Sequence, residues 1–178
     1  DGVPQNSAKA MELFHRSCEG NDERACANLA SQYSLGKGVA KDRAKAAALY
    51  VKSCDLGFVP ACYNAGYAHE TGDGVSRDFG KAAMFYKRAC DKEAAAACTN
   101  LGMLYENGNG VPKDLALAAT NYKRGCDGGN ANGCTNLGIM YHEGKAVRQN
   151  FAMAIPLYTK GCDGGVSSAC NNLARMYY

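Results

Sequence analysis

The sequence has 178 residues, enough for one domain, with 21% charged residues and a net charge of +3. That balance excludes a charged disordered tail and falls short of a dedicated nucleic-acid binder. Mean hydropathy is −0.33 and no apolar run approaches 18 residues, which excludes a membrane-spanning helix. Ten cysteines are the outlier and point to disulfides in an oxidising compartment, or to metal. The chain opens Asp1-Gly2-Val3-Pro4 without a basic and apolar leader, so any targeting signal is expected to have been removed or to lie outside this sequence.

The cysteines, at 18, 26, 54, 62, 90, 98, 126, 134, 162 and 170, keep an offset of 8 within a pair and 36 between pairs. A strict period of this length means a repeat array. The expected organisation is one solenoid domain over 1–178, in five units at about 2–37, 38–73, 74–109, 110–145 and 146–178. Each unit reads as two helices. In the first, Asn6 caps a helix carrying Ala10 and Phe14, and the next helix carries Cys26 and Asn28 before Gly36 stops it. The second begins at Asp42, runs through Ala46, Leu49 and Tyr50 to Gly57, then through Cys62, Ala65, Gly66 and His69 to Gly72. The third repeats this from Asp78, with Ala82 and Tyr86, then Cys98, Leu101, Gly102 and Tyr105 to Gly108. The fourth and fifth start at Asp114 and Asn150, with Ala118 and Tyr122, then Ala154 and Tyr158, and turns at Gly129, Gly144 and Gly165. Val3, Val39, Val75, Val111 and Val147 recur in the returning loop and are expected to plug a gap between units. The 3.6-residue periodicity, without alternating strands, makes the fold all-α.

Alanine and glycine at the helix contacts give each unit a thin core, which stacking must thicken. Two antiparallel helices joined by a short turn can bring paired cysteines within about 6 Å, and closing the nine-residue loop contributes roughly 2.5 kcal/mol. The expected bonds are Cys18–Cys26, Cys54–Cys62, Cys90–Cys98, Cys126–Cys134 and Cys162–Cys170. Metal ligation is the weaker alternative, because seven residues separate each pair and His15, His69 and His142 fall at three different repeat positions. No metal or cofactor is expected.

The stretch from Ala97 to Asp114, with Asn100-Leu101-Gly102 and Gly108-Asn109-Gly110-Val111, resembles the Sel-1-like repeat, and Lys81 to Tyr86 fits it too. The added cysteine pair resembles the Helicobacter cysteine-rich protein subfamily. This resemblance implies a right-handed solenoid of αα-hairpins related to tetratricopeptide repeats. It implies a bacterial periplasmic or secreted adaptor, with some members described as penicillin-binding or weakly β-lactamase-active. Local departures are His69, Ala65, Asn121, Pro156 inside a first helix, and Lys92-Glu93 in an inter-helix turn.

The similarity to a tetratricopeptide first helix puts Asn28, Asn64, Asn100, Asn136 and Asn172 on a groove-facing register, where a carboxamide ladder can pair with an extended peptide backbone. Variable neighbours would set preference: Arg24, Tyr63 and Tyr67, then Thr99 and Met103, then Thr135 and Ile139, then Asn171 and Arg175. The competing role is bracing, each Asn tying one unit to a carbonyl of the next. Ser34-Leu35-Gly36-Lys37 matches a serine β-lactamase tetrad, but its companion motifs are absent and Gly36 separates the two side chains. Lys52, Lys87, Arg88, Lys123, Arg124 and Lys160 align near first-helix ends, where they complement the helix dipole, so no nucleic-acid partner is expected. The reading is a non-enzymatic groove binder of a protein or extended peptide; the alternative is a cell-wall-fragment or penicillin binder with weak β-lactamase activity. The expected location is secreted or periplasmic, with the mitochondrial intermembrane space as alternative. Leu173, Ala174 and Tyr177 would lie on an uncovered last helix, inviting end-to-end self-association or a longer array.

Overall fold

The computed structural model describes residues 7–178; Val3 and Asn6 lie outside them. The described residues form ten helices and no strand. These are α1 Ser7–Glu19, α2 Glu23–Leu35, α3 Arg43–Asp55, α4 Val59–Thr71, α5 Phe79–Cys90, α6 Ala95–Asn107, α7 Leu115–Asp127, α8 Ala131–Glu143, α9 Phe151–Asp163 and α10 Ser167–Met176. The chain packs as two compact units, Asp1–Phe85 and Tyr86–Tyr178.

Helix starts follow the expected chemistry. Asp42 and Asp78 accept from the backbone N–H of Lys45 and Lys81, each at 2.9 Å. Asp114 accepts from Ala116 and Leu117, and Asn150 from Met153. Each satisfies an orphan donor of the first turn. Two further caps, Asp22 on Ala25 and Asn130 on Gly133, start the even-numbered helices α2 and α8. Gly36, Gly72, Gly108 and Gly144 end α2, α4, α6 and α8 at φ of 70 to 78°, the left-handed conformation that needs glycine. In the turns between α1 and α2 and between α5 and α6, Asn21 and Glu93 adopt that conformation without being glycine.

In the first unit, Cys18, Ala25, Cys26 and Leu29 form a small core under Met11, Phe14, Tyr33 and Leu49. Cross-ties reinforce it: Ser53 donates to the Glu23 carbonyl at 2.6 Å, and the Lys52 ammonium to the Cys18 carbonyl at 2.7 Å. His69 is buried and stacks on Phe85 at 5.6 Å, with its Nδ1 lacking a hydrogen-bond partner.

In the second unit, Ala118, Ala119, Tyr122, Leu137, Met140 and Leu157 form the core, with Val147 packed against it as the loop plug. Tyr122 lies over Gly102: a Cβ there would stand 2.7 Å from the ring. Asn121 is buried and donates to the Leu117 carbonyl of its own helix at 2.8 Å. α9 runs through Pro156, which has no N–H to donate to the Ala152 carbonyl one turn back.

All ten cysteines pair as expected, with Cα separations of 4.4 to 4.7 Å and no free thiol. Each bond joins the end of an odd-numbered helix to the first turns of the next. Such a set indicates an oxidising, extracytoplasmic environment.

Candidate functional site

On α4 the buried positions are Ala61, Cys62, Ala65, Gly66, Ala68 and His69. Asn64 and Tyr67, one turn apart, stay outside that set. The same register recurs on the other even-numbered helices. It gives Asn28 and Ser31 on α2, Asn100 and Met103 on α6, Asn136 and Ile139 on α8, and Asn172 and Arg175 on α10. Asn28 and Arg175 are exposed, Tyr67 is 49% exposed, and the other residues of this stripe are half-buried. Arg24, one turn before Asn28, is exposed as well.

The register one residue earlier behaves differently. Thr99 and Thr135 were expected to line the groove, and both are buried, 3% and 2% exposed. One helical step of about 100° turns them toward the following odd-numbered helix. The Thr99 hydroxyl lies 3.1 Å from the Ala95 carbonyl and 3.0 Å from Asn130 Oδ1, with one proton for the two acceptors, and it fills the space over Gly125, where a Cβ would meet it. Thr135 stands likewise over Gly161 and donates to Ala131. Both threonines are packing residues. Tyr63 is half-buried, and Asn171, on the last helix, is exposed. Ser31 belongs to the stripe and follows from Tyr67 by subtracting one period.

In the first unit the stripe borders a cleft of about 280 Å³ between α2, α3 and α4. Ser34, Asn64 and Tyr67 line it over the alanines Ala46 and Ala47, and Arg43 pairs with Asp73 at its edge. Tyr50 also lines it; burial raises its phenol above the ordinary range, opposed by a hydrogen bond from Ser31. Lys37 is exposed beyond the left-handed Gly36.

In the second unit Tyr122 approaches the stripe at Asn136. The Tyr122 hydroxyl donates to Glu106 at 2.5 Å. Burial first, and then the Glu106 carboxylate, hold its pKa far above the usual tyrosine range; a hydrogen bond from Asn136 opposes them. Asn136 thus stands beside the Tyr122 phenol. Tyr158 lies 3.2 Å from His142 Nδ1, and burial and then Glu143 raise its pKa. Sequence alone weighs His142 only as a metal ligand and gives Glu106 no role. They stand one period apart, as Tyr122 and Tyr158 do.

Four of the aligned cations, Lys52, Lys87, Lys123 and Arg124, have structural partners. Arg124 donates to the Cys90 carbonyl at 2.6 Å, matching Lys52 on Cys18 two periods earlier. Lys87 pairs with Asp91 and Lys123 with Asp127. Among the described residues, no helix is long and apolar enough to cross a membrane.

The Sel1 repeat family model matches residues 1–22, 23–58, 59–93, 95–130, 131–166 and 167–178. In that phase a repeat starts at an even-numbered helix, so every disulfide joins two successive repeats. A protective antigen present in uropathogenic Escherichia coli strains, displaying an SLR fold, is 30% identical with a TM-score of 0.89. The match covers 94% of this chain and 36% of that protein, so the chain spans about a third of its length. A Sel1 repeat protein from Oxalobacter formigenes is 29% identical, TM-score 0.87, over 99% of this chain and 72% of that one. Helicobacter pylori cysteine rich protein B is 32% identical, TM-score 0.60, over 75% of this chain and 96% of that one. No curated protein matches the sequence. Sel1 repeat proteins serve generally as protein-interaction scaffolds. The chain belongs to the Sel1 repeat family.

Proposed function

We propose that the protein is a non-enzymatic adaptor that binds extended peptide segments along the asparagine stripe of the even-numbered helices within each unit, in the periplasm or after secretion. The observation that carries this is accessibility. Asn28 is exposed and the other four asparagines are half-buried, so the register keeps part of each side chain accessible, whereas Thr99 and Thr135, one residue before it, are buried. A side chain that only braced the fold would have no reason to stay partly accessible five times over. Each carboxamide offers two donors and an acceptor, which suits the alternating groups of a peptide backbone. Tyr67, Met103, Ile139 and Arg175, one turn further on, differ in chemistry from helix to helix and supply the preference.

The competing bracing role is favoured at one position, where Asn136 stands beside the Tyr122 phenol. The two roles separate experimentally. A random linear peptide library is panned on the oxidised protein, and enriched peptides are rebound to Asn64→Ala, Asn100→Ala and Asn172→Ala. Binding should weaken about tenfold per site, with melting temperature nearly unchanged. Failure to enrich any peptide, or enriched peptides that bind the three variants normally, refutes the groove reading.

A further inference from the structure

We infer that Asn109 is a site of spontaneous modification: in the folded protein its side-chain amide is converted to the acid, as aspartate and isoaspartate, ahead of the chain's other Asn-Gly pairs. The inference is independent of the groove reading. The sequence contains three such pairs, Asn107-Gly108, Asn109-Gly110 and Asn132-Gly133. Glycine after asparagine leaves the following main-chain nitrogen without a side chain to shield it. The three are alike as sequence, and the fold tells them apart.

The chemistry makes one demand. The backbone nitrogen of the glycine must give up its proton and attack the side-chain carbonyl carbon of the asparagine. A bond forms between Gly110 N and Asn109 Cγ, the bond from Cγ to the side-chain nitrogen breaks, and ammonia leaves with the proton. The five-membered imide then adds one water. Opening at one carbonyl gives aspartate; opening at the other gives isoaspartate, in which the main chain runs through the side-chain carbon. Amide plus water becomes acid plus ammonia, with no oxidant or cofactor. A glycine N–H that is already donating cannot react until its hydrogen bond opens.

Two of the three nitrogens are held in that way. Gly108 caps α6, and its N–H donates to the Leu104 carbonyl at 2.9 Å. Gly133 lies in the first turn of α8, and its N–H donates to Asn130 Oδ1 at 2.9 Å. Gly133 is also buried in a tight place, where a Cβ would stand 2.7 Å from the Thr99 hydroxyl. Gly110 differs on each count. It lies in the loop between α6 and α7, it is exposed, and among the described residues its N–H has no hydrogen-bond acceptor. Water can reach that nitrogen and take its proton. Asn109 is anchored on its other side, where its own N–H donates to the Leu104 carbonyl at 3.0 Å. Having to open a hydrogen bond of ordinary net strength beforehand slows a step by about tenfold. Conversion removes one unit from the net charge of +3 and places a carboxylate three residues after Glu106.

The test follows the folded, oxidised protein over days in mildly alkaline buffer, where the nitrogen loses its proton more readily. Ion exchange separates the acidic species, and peptide mapping by mass spectrometry assigns the position and distinguishes aspartate from isoaspartate. Conversion at Asn109 should run at least about tenfold faster than at Asn107 or Asn132. In the reduced chain unfolded by guanidinium the three rates should converge, since no hydrogen bond then protects any of them. Asn109→Gln should remove the early acidic species and Asn132→Gln should leave it, with circular dichroism establishing that both variants are folded. If Asn107 or Asn132 converts as fast as Asn109 in the folded protein, or if Asn109 stays intact there while the unfolded chain converts, the inference is wrong. The same ranking in guanidinium would also overturn it, because the fold would then not be what selects the site.

Discussion

Substituting Gly102 by alanine adds one methyl group and tests the packing that holds the second unit. A Cβ at this position would lie 2.7 and 2.8 Å from two carbons of the Tyr122 ring and 3.2 Å from the Ala118 carbonyl. Carbon atoms prefer separations of about 3.5–4.0 Å, so the overlap is close to 1 Å. The ring has little room to retreat. Tyr122 is fully buried, and its hydroxyl is fixed by Glu106 at 2.5 Å. Breaking a hydrogen bond to a charged group costs about 1.5–3 kcal/mol, comparable to the 1–3 kcal/mol of overpacking itself. Against this, alanine is the better helix former by about 1 kcal/mol. The clash wins, with a net loss of about 2 kcal/mol.

The equivalent change in the next repeat, Gly138→Ala, places its Cβ 2.9 Å from two carbons of Tyr158, whose hydroxyl has only a 3.2 Å contact with His142. That ring can yield more easily, and a loss of about 1 kcal/mol is expected. Urea unfolding of the oxidised variants by far-ultraviolet circular dichroism measures both, since at constant m the midpoint falls in proportion to the lost stability. In a Tyr122→Leu background the ring is gone, and Gly102→Ala should become neutral or stabilising. A raised midpoint for Gly102→Ala alone, or the same loss in both backgrounds, would refute the reasoning.

Three other expectations are open to direct measurement. Reducing all five disulfides should lower the melting temperature sharply, since each closes a nine-residue loop for about 2.5 kcal/mol; a change of only a few degrees would overturn the thin-core argument. Glu93→Gly should stabilise the oxidised protein by about 0.5–1 kcal/mol, seen as a higher urea midpoint, because Glu93 holds φ at 64° where a left-handed side chain costs about 1–2 kcal/mol and glycine returns part of that as unfolded-state entropy. Tyr50, Tyr122 and Tyr158 have pKa values raised in the folded chain, so the stability they contribute is complete below about pH 10, where an unfolded tyrosine ionises, and is lost as pH climbs beyond it. Tyrosinate absorbance for these three should rise together with loss of helix; complete ionisation near pH 10 with the circular dichroism unchanged would contradict this.

The repeat was legible because its strongest marks are covalent or conformational. Cysteines at a fixed offset, capping Asp and Asn, and left-handed glycines each admit few alternatives. Side-chain direction was harder to read. Thr99 and Asn100 are neighbours in sequence, yet a single step around the helix sends one under the next helix and leaves the other at the surface. The clue to Thr99 lay elsewhere in the chain, at Gly125, a small residue that makes room for it. Lys52 and Arg124 show the same limit. Their position near a helix end suggested a dipole complement, whereas each reaches 34 residues back to a cysteine carbonyl. Only a contact between helices distant in sequence distinguishes those roles.

The phase of the repeat gives the disulfides a functional consequence. Counted from the even-numbered helices, as the family match divides the chain, each bond couples one repeat to the next instead of closing a hairpin within a repeat. In a linear array stability is the sum of repeat terms and nearest-neighbour terms. The cysteines act on the second kind, as do the Lys52 and Arg124 cross-ties that end on cysteine carbonyls. The helices so anchored, at their first turns, are the ones that carry the asparagine stripe. Cys62 lies two residues before Asn64, and Cys98 two before Asn100. In the proposed binding mode, helices pinned this close to the asparagines lose little conformational freedom when a peptide arrives, and that loss is a principal cost of binding. The thin core and the many disulfides are thus two sides of one arrangement. Small residues let the helices approach closely, and covalent links hold their outer face in register where alanine and glycine packing alone would leave it loose.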